Sequence, residues 1–198
     1  MKKIFFILSL IIGTSMTNKT QAMVGIDCPD YRPLIVYFSA TGTTAKVAEQ
    51  IYASASSMNN KVHLFEIKPE QPYTDADLNW HNKNSRSSIE MADKNSRPTI
   101  ANKLENIDNY DVIFLGFPIW WGREPAIIDT FLESYDFSNK LIIPFATSGS
   151  SGIDDAVANI KTLVPDAHVN EGKRFTSDIY DDDLDMWTFG YVVAICPM

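Results

Sequence analysis

The sequence predicts an α/β protein built on a doubly wound parallel sheet, with helices on both faces. Three observations support this fold class. Short apolar runs of strand length alternate along the chain with longer amphipathic stretches of helical periodicity. The apolar runs are continuous, which is typical of parallel strands buried on both faces. The composition, with 45% hydrophobic and 21% charged residues over 198 positions, is that of one globular domain.

Five runs are predicted to form the strands of this sheet. Residues 34–38, 112–117 and 141–146 are continuous apolar runs and are the candidates for its centre. Residues 62–67 are interrupted by His and Glu, so we expect an edge strand with one flank toward solvent. Residues 167–170 are a shorter candidate for the opposite edge. These properties fit the strand order 2-1-3-4-5, one of the common doubly wound arrangements.

Amphipathic stretches between the strands predict the helices. Residues 44–57, a stretch opened by Pro125, and residues 151–163 each place apolar side chains on one face. A last helix is expected from Ser177 to about Trp187. The apolar tail after Gly190 does not follow the expected pattern of a closing amphipathic helix.

Residues 68–98 are polar, rich in Asn and Ser, and long for a plain connection within a domain. We expect a short helix near residues 87–93. The aromatic side chains of Tyr73 and Trp80 either pack over another part of the molecule or belong to a solvated excursion.

The first 22 residues have the layout of a secretory signal peptide. Lys2 and Lys3 precede an apolar run at residues 4–13, and a polar stretch ends in the small residue Ala22. The run is short for a bilayer span, which needs about 20 residues. An uncleaved anchor or a buried first helix is the alternative. The predicted organisation is a signal peptide (1–22), an N-terminal extension (23–32) and one domain (33–198), in an exported, periplasmic or otherwise extracytoplasmic protein without a membrane span after cleavage.

The charge balance limits the possible partners. The chain has 17 Lys and Arg residues against 25 Asp and Glu residues, a formal net charge of −8. Such a chain is a poor candidate for binding nucleic acid or anionic lipid, and we expect partner proteins with basic surfaces. No Cys or His spacing predicts a metal site. Whether Cys28 and Cys196 form a disulfide is left open.

Three loops follow the first, third and fourth predicted strands. Loop 1 comprises residues 39–44, loop 2 residues 117–122 and loop 3 residues 147–152. In the order 2-1-3-4-5, a ligand binds at the carboxyl ends of the strands, between the first and the third. The three loops are therefore expected to converge on one crevice.

Loop 1 has the features of a phosphate site. It brings hydroxyls and backbone N–H groups to the start of a helix, where a phosphate is favoured. It contains neither G-x-x-x-x-G-K-[ST] nor G-x-G-x-x-G and has no Lys, so it suits a single terminal phosphate. The alternative is an ordinary Ser or Thr helix cap.

Loop 2 contains two adjacent tryptophans, Trp120 and Trp121. Consecutive side chains point in different directions, so at least one indole should lie at the surface or over a ligand. An exposed indole is a good platform for a planar ring. The alternative is a tightly packed aromatic corner. Loop 3 could offer backbone N–H groups to the edge of such a ring.

Together, residues 37–45, 116–122 and 147–152 resemble the flavodoxins, in particular a bacterial branch with a Pro-Ile-Trp-Trp-Gly loop. The resemblance covers about residues 33–175 and implies a flavodoxin-like five-stranded sheet and FMN as cofactor. It places loop 1 around the phosphate, loop 2 beside the isoalloxazine and loop 3 at the other ring edge. The implied cofactor-binding residues are Ser39, Ala40, Thr41, Gly42, Thr43, Thr44, Pro118, Ile119, Trp120, Trp121, Gly122, Thr147, Ser148, Gly149, Ser150 and Gly152.

The predicted function is that of an FMN-binding redox protein, either an electron carrier or a small flavin reductase. No residue stands out as a catalytic acid, base or nucleophile, so the sequence does not separate these two roles. It also leaves the electron donor and acceptor open. The alternative is a binding module that keeps the fold without FMN and recognises another small phosphorylated or aromatic ligand.

Overall fold

The computed structural model describes residues 32–59, 61–176 and 181–195. The predicted signal peptide, all of the N-terminal extension except Arg32, and both cysteines lie outside these ranges. Export therefore stays a prediction, and the pairing of the two cysteines stays open. Within the described ranges, no group of His, Cys, Asp and Glu side chains is arranged to hold a metal ion. None of the helices in these ranges has the length and apolar character needed to cross a membrane.

A parallel sheet lies at the centre of the fold. Its strands are β1 (Pro33–Tyr37), β2 (His63–Glu66), β3 (Val112–Pro118), β4 (Leu141–Thr147), β5 (His168–Val169) and β6 (Lys173–Phe175). The order is β2-β1-β3-β4-β5, and β6 also pairs with β4, which confirms the predicted order 2-1-3-4-5. All of β1 is buried, whereas β2 is exposed or half-buried, as expected for an edge strand.

The edge beside β4 is divided into two short strands because of Pro144. A proline has no N–H to donate to its neighbour, so the ladder is interrupted there. Opposite it, Gly172 has φ +73°, and a Cβ at this position would lie 2.4 Å from the Pro144 carbonyl oxygen. Pairing resumes with Phe145 opposite Lys173, one residue out of step with the β5 register. The sequence predicted the first piece and missed β6.

Helices cover both faces of the sheet, as predicted. They are α1 (Thr43–Met58), α2 (Arg86–Ala92), α3 (Ala126–Glu133), α4 (Asp154–Leu163) and α5 (Asp181–Ile195), with a 3-10 turn at Ile107–Asn109. One core joins α1 and α5 to strand residues such as Ile35 and Phe114. The other joins α3 and α4 to the alternate residues, such as Leu34 and Leu115. This alternation is the period of two expected of strands buried on both faces.

The helix ends show where the sequence interpretation was wrong. The apolar tail after Gly190 is part of α5, which continues to Ile195. It does so because Trp187 and Tyr191 lie one turn apart and pack their rings against Phe114, at centroid distances of 5.9 and 6.3 Å. Pro125 takes the N-cap position of α3 rather than its first helical position, and α4 begins three residues later than predicted.

The long connection between β2 and β3, here called the β2–β3 segment (residues 67–111), is docked on the molecule. Pro69 and Ile100 form an antiparallel bridge at its base. The ring of Tyr73 packs edge-on against Phe38 and Trp120, with centroid distances of 5.7 and 5.2 Å. The interpretation of the stretch around Tyr73 as a solvated excursion is therefore wrong. The alternative, that Tyr73 packs over another part of the molecule, is confirmed.

The close approach of β3 to β4 generates a stability prediction. Gly116 pairs with Phe145, and a Cβ on Gly116 would lie 2.1 Å from a carbon of the buried Phe145 ring. We expect Gly116→Ala to lower the free energy of unfolding by about 1–3 kcal/mol, the usual cost of overpacking. Gly190→Ala is the control, because its Cβ meets open space in a helix, where Ala is favoured. Equal urea midpoints for Gly116→Ala and the wild type would contradict this packing.

Candidate functional site

A crevice of about 380 Å³ opens at the carboxyl ends of β1 and β3, where the strand order reverses. Loops 1 and 2 form part of it, and the β2–β3 segment forms the rest. The lining residues are Ala40, Thr41, Thr44, Leu78, Trp80, Ser87, Pro118, Ile119, Trp120 and Trp121. All ten are uncharged, so any ligand group here is held by dipoles, hydroxyls and aromatic surface.

Loop 1 presents the start of α1 without a side-chain cap. Gly42 is the N-cap residue in a left-handed conformation (φ +85°), and its amide donates to Ser39 Oγ at 3.1 Å. The first-turn amides of a helix have no acceptor within the helix itself. No side chain caps α1, so the alternative of an ordinary Ser or Thr cap is wrong. The uncapped amide dipoles form a suitable place for an anion.

Thr44 connects loop 1 to the base of loop 3. It is buried in the first turn of α1, and its Oγ1 lies 2.7 Å from Thr147 Oγ1 at the end of β4. The neighbouring hydroxyls of Thr41 and Thr43 lie 3.3 Å apart. Four threonine hydroxyls therefore lie around the start of the helix, together with its amides.

Loop 2 continues into a tight turn that separates the two tryptophans. Trp120 N–H donates to the Arg123 carbonyl at 2.8 Å, and Arg123 N–H donates back at 3.1 Å. The central residues, Trp121 and Gly122, have φ +48° and +87°, the signs of a type I′ turn. A bulky residue seldom adopts positive φ, so this conformation is a strained feature of the site.

The two indoles consequently have different environments. Trp120 is half-buried and packs edge-on against Phe38 and Tyr73. Trp121 is 50% exposed and lines the crevice. The prediction that at least one indole lies at the surface is confirmed by Trp121. The alternative of a packed aromatic corner applies to Trp120 alone.

Loop 3 lies at the same end of the sheet but outside the ten lining residues. The Thr147 carbonyl accepts from Ile119 N–H at 3.0 Å, which joins loop 3 to loop 2. Ser148 N–H donates to Phe175 O at 3.0 Å, and the Ser148 carbonyl accepts from Arg174 at 2.9 Å. The base of loop 3 is thus fixed by β6. Contact of Gly149, Ser150 and Gly152 with a ligand stays a prediction.

Sequence reasoning missed the contribution of the β2–β3 segment to the crevice. Leu78, Trp80 and Ser87 come from this segment, although none was a candidate site residue. An indole within a polar, Asn-rich stretch is the only signal that the sequence offers. Nothing in the spacing of these residues indicates that the segment folds back to loop 1.

A buried polar network lies directly behind the turn of loop 2. Glu124 is completely buried, and its Oε1 accepts from Arg123 at 3.1 Å and from Asn159. Asp129, on α3, also accepts from Arg123 and is bridged by Arg97 at 3.6 Å. Glu124 Oε2 has no partner in the described part of the chain. The network joins the turn to α3 and α4.

Burial raises the pKa of Glu124 to about 8, and the neighbouring carboxyl of Asp129 adds to this effect while Arg123 opposes it. Below that pH the Glu124 carboxyl holds a proton in the folded protein. A neutral carboxyl avoids placing a second negative charge beside Asp129 in the interior. The sequence gives no sign that this particular acid is buried.

This network generates a pH prediction. A folded-state pKa of about 8, above the ordinary 4.5, means that the folded protein binds the Glu124 proton more tightly. The contribution of this proton to the free energy of unfolding is complete below pH 4.5 and is lost as the pH rises toward 8. The free energy of unfolding of the wild type should fall with rising pH by up to about 1.4 kcal/mol for each pH unit because of this group. We expect Glu124→Gln to remove this part of the pH dependence.

The measurement is the free energy of unfolding in urea between pH 5 and 8. Glu133→Gln is the matched control. Arg97 lowers the pKa of Glu133, so this carboxyl titrates below the pH range of the measurement. A slope that stays the same in Glu124→Gln as in the wild type would contradict the assignment.

Comparison with known proteins agrees with this geometry. The family model described as Flavodoxin matches residues 32–190. A crystal structure of a protein from Bacteroides uniformis ATCC 8492, classed as a flavoprotein, is 43% identical and has a TM-score of 0.74, covering 79% of this chain and 97% of that one. One from Bacteroides eggerthii DSM 20697, also classed as a flavoprotein, is 42% identical with a TM-score of 0.72, covering 82% and 98%.

A flavoprotein from Lactobacillus acidophilus NCFM, crystallised in complex with FMN, is 25% identical with a TM-score of 0.56. The match covers 80% of this chain and 99% of that one. No curated protein matches the chain. The matched family spans both loops that form the crevice and every strand of the sheet, and the chain belongs to the flavodoxin family.

Proposed function

We propose that this protein binds FMN in the crevice and acts as a redox protein, either as an electron carrier or as a small flavin reductase. One observation carries the proposal: a single uncharged crevice connects the uncapped start of α1 to the half-exposed indole of Trp121. A ligand with a phosphate at one end and a planar ring at the other matches both parts.

The start of α1 fits a phosphate monoester. The partial positive charge of the helix terminus favours an anion, and Thr41, Thr43 and Thr44 add hydroxyl donors. The lining holds no cation that would neutralise a longer phosphate chain. The terminal phosphate of FMN is therefore better suited to this site than a triphosphate.

Loop 2 fits the isoalloxazine ring. Trp121 offers an exposed aromatic face, and Pro118 and Ile119 extend the apolar surface of the crevice. Trp120 holds the loop in place through its edge-on contacts with Phe38 and Tyr73. In this arrangement loop 3 would meet the ring at its other edge.

Bound FMN would supply the transfer of one or two electrons. The residues of the chain bind the phosphate, orient the ring and shield it from water on the sides of loops 1 and 2. None of the ten lining residues is titratable at ordinary pH, so the described lining offers no acid or base of its own. A site in which FMN transfers the electrons and the protein binds and orients it is consistent with both a carrier and a reductase.

The alternative is a binding module that has lost FMN. The structure of the Lactobacillus acidophilus flavoprotein in complex with FMN supports a flavin site in a relative of this chain. Loop 1, the uncapped α1 and the exposed indole are all present here, so this chain has the features that a flavin site needs.

The cofactor is tested by titrating the purified protein into FMN and into riboflavin while recording flavin fluorescence. We expect FMN to bind at one site per chain. Gly42→Val should weaken FMN binding more than about ten-fold, because Val is strained at φ +85° and the amides of loop 1 would move. Riboflavin lacks the phosphate, so its weaker binding should change little in this variant.

A folded wild-type protein that quenches neither flavin would contradict the proposal. Equal losses of FMN and riboflavin in Gly42→Val would show that loop 1 does not hold the phosphate.

A further inference from the structure

We propose that Trp80 is a second aromatic platform of the crevice, contributed by the β2–β3 segment, and that it contacts the flavin ring together with Trp121. This inference rests on the proposed function. It assigns a ring-binding residue outside the three loops that follow the strands. Its ligand is the planar ring itself rather than the phosphate.

The exposure of Trp80 is the first argument. It is 67% exposed, the largest fraction among the large hydrophobic side chains in the described ranges. Seven such side chains are exposed there, and only Trp80 and Trp121 line the crevice. Exposed apolar side chains that gather around one concave site indicate a binding surface.

The second argument is that the backbone around Trp80 is held in place. Asp77 accepts from Thr74 N–H at 2.9 Å and from its hydroxyl at 2.7 Å. The Asp77 carbonyl accepts from Ser87 N–H at 3.0 Å and from its Oγ at 2.6 Å. Farther along, Ser88 Oγ donates to Asn82 O at 2.8 Å. These bonds close the stretch that carries Trp80 into a fixed loop.

The third argument is that this stretch is attached to loop 2. The Tyr73 hydroxyl donates to Glu90 at 2.5 Å, and the Arg86 guanidinium lies 4.0 Å above the Tyr73 ring. The same ring packs against Trp120. Tyr73 thus connects α2 with loop 2, and its contacts join the two sides of the crevice.

The indole of Trp80 also has one face covered. The ring of His81 lies 3.5 Å from it, between centroids, with an interplanar angle of 32°. This contact occupies one face of the indole, and we assign the other face to the ligand ring. A restrained aromatic face on an otherwise exposed side chain loses little conformational freedom when a ring binds.

The test measures dissociation constants of FMN and riboflavin for Trp80→Ala, Trp80→Phe and Trp80→Leu. We expect Trp80→Ala to weaken both ligands by the same factor, at least about five-fold, since both carry the same ring. Trp80→Phe should recover most of the affinity, and Trp80→Leu, which has bulk without an aromatic face, should not. Ile89→Ala is the matched control, because Ile89 is 57% exposed on α2 and does not line the crevice.

The urea midpoint without ligand should be the same for the wild type and every Trp80 variant, because the side chain is mostly exposed. If Trp80→Ala does not fold, the comparison of Trp80→Phe with Trp80→Leu decides. Wild-type affinity for both flavins in Trp80→Ala, or equal affinities in Phe and Leu variants, would overturn this inference while FMN binding stands. A wild type that binds neither flavin would overturn the proposed function, and this inference with it.

Discussion

The positive φ of Trp121 is the constraint on which the site depends. A bulky side chain in this conformation costs about 1 kcal/mol or more, and the surrounding structure has to offset it. The reciprocal hydrogen bonds between Trp120 and Arg123 hold the turn from within. Both indoles line the crevice, but Trp120 is packed against Phe38 and Tyr73 whereas Trp121 is half-exposed.

Two different supports lie on either side of this turn. On one side, Phe38 and Tyr73 pack against Trp120 and bring in the β2–β3 segment. On the other side, the buried carboxyls of Glu124 and Asp129 share the guanidinium of Arg123. The first support is apolar and insensitive to pH, whereas the second depends on a proton at Glu124. The lining of the crevice is uncharged in a protein whose formal net charge is −8.

Much of the fold could be predicted because the strands are buried on both faces and therefore form continuous apolar runs. The order of the strands and the meeting of loops 1 and 2 followed from those runs. The break at Pro144 and Gly172 could not be predicted, since it depends on a contact between neighbouring strands. The end of α5 was missed because Trp187 and Tyr191 find their partner, Phe114, far away in the sequence. Trp80 and Glu124 were missed for the same reason: burial and proximity at these positions come from tertiary contacts that leave no local pattern.

The central claim is that one crevice holds the phosphate at the start of α1 and the ring beside the exposed tryptophans. A crystal structure of the protein grown with FMN tests this claim most directly. We expect the phosphate within hydrogen-bonding distance of the amides and hydroxyls of loop 1, and the isoalloxazine against the indole of Trp121. A phosphate bound at loop 3 or elsewhere, or a ring that touches neither Trp80 nor Trp121, would contradict it.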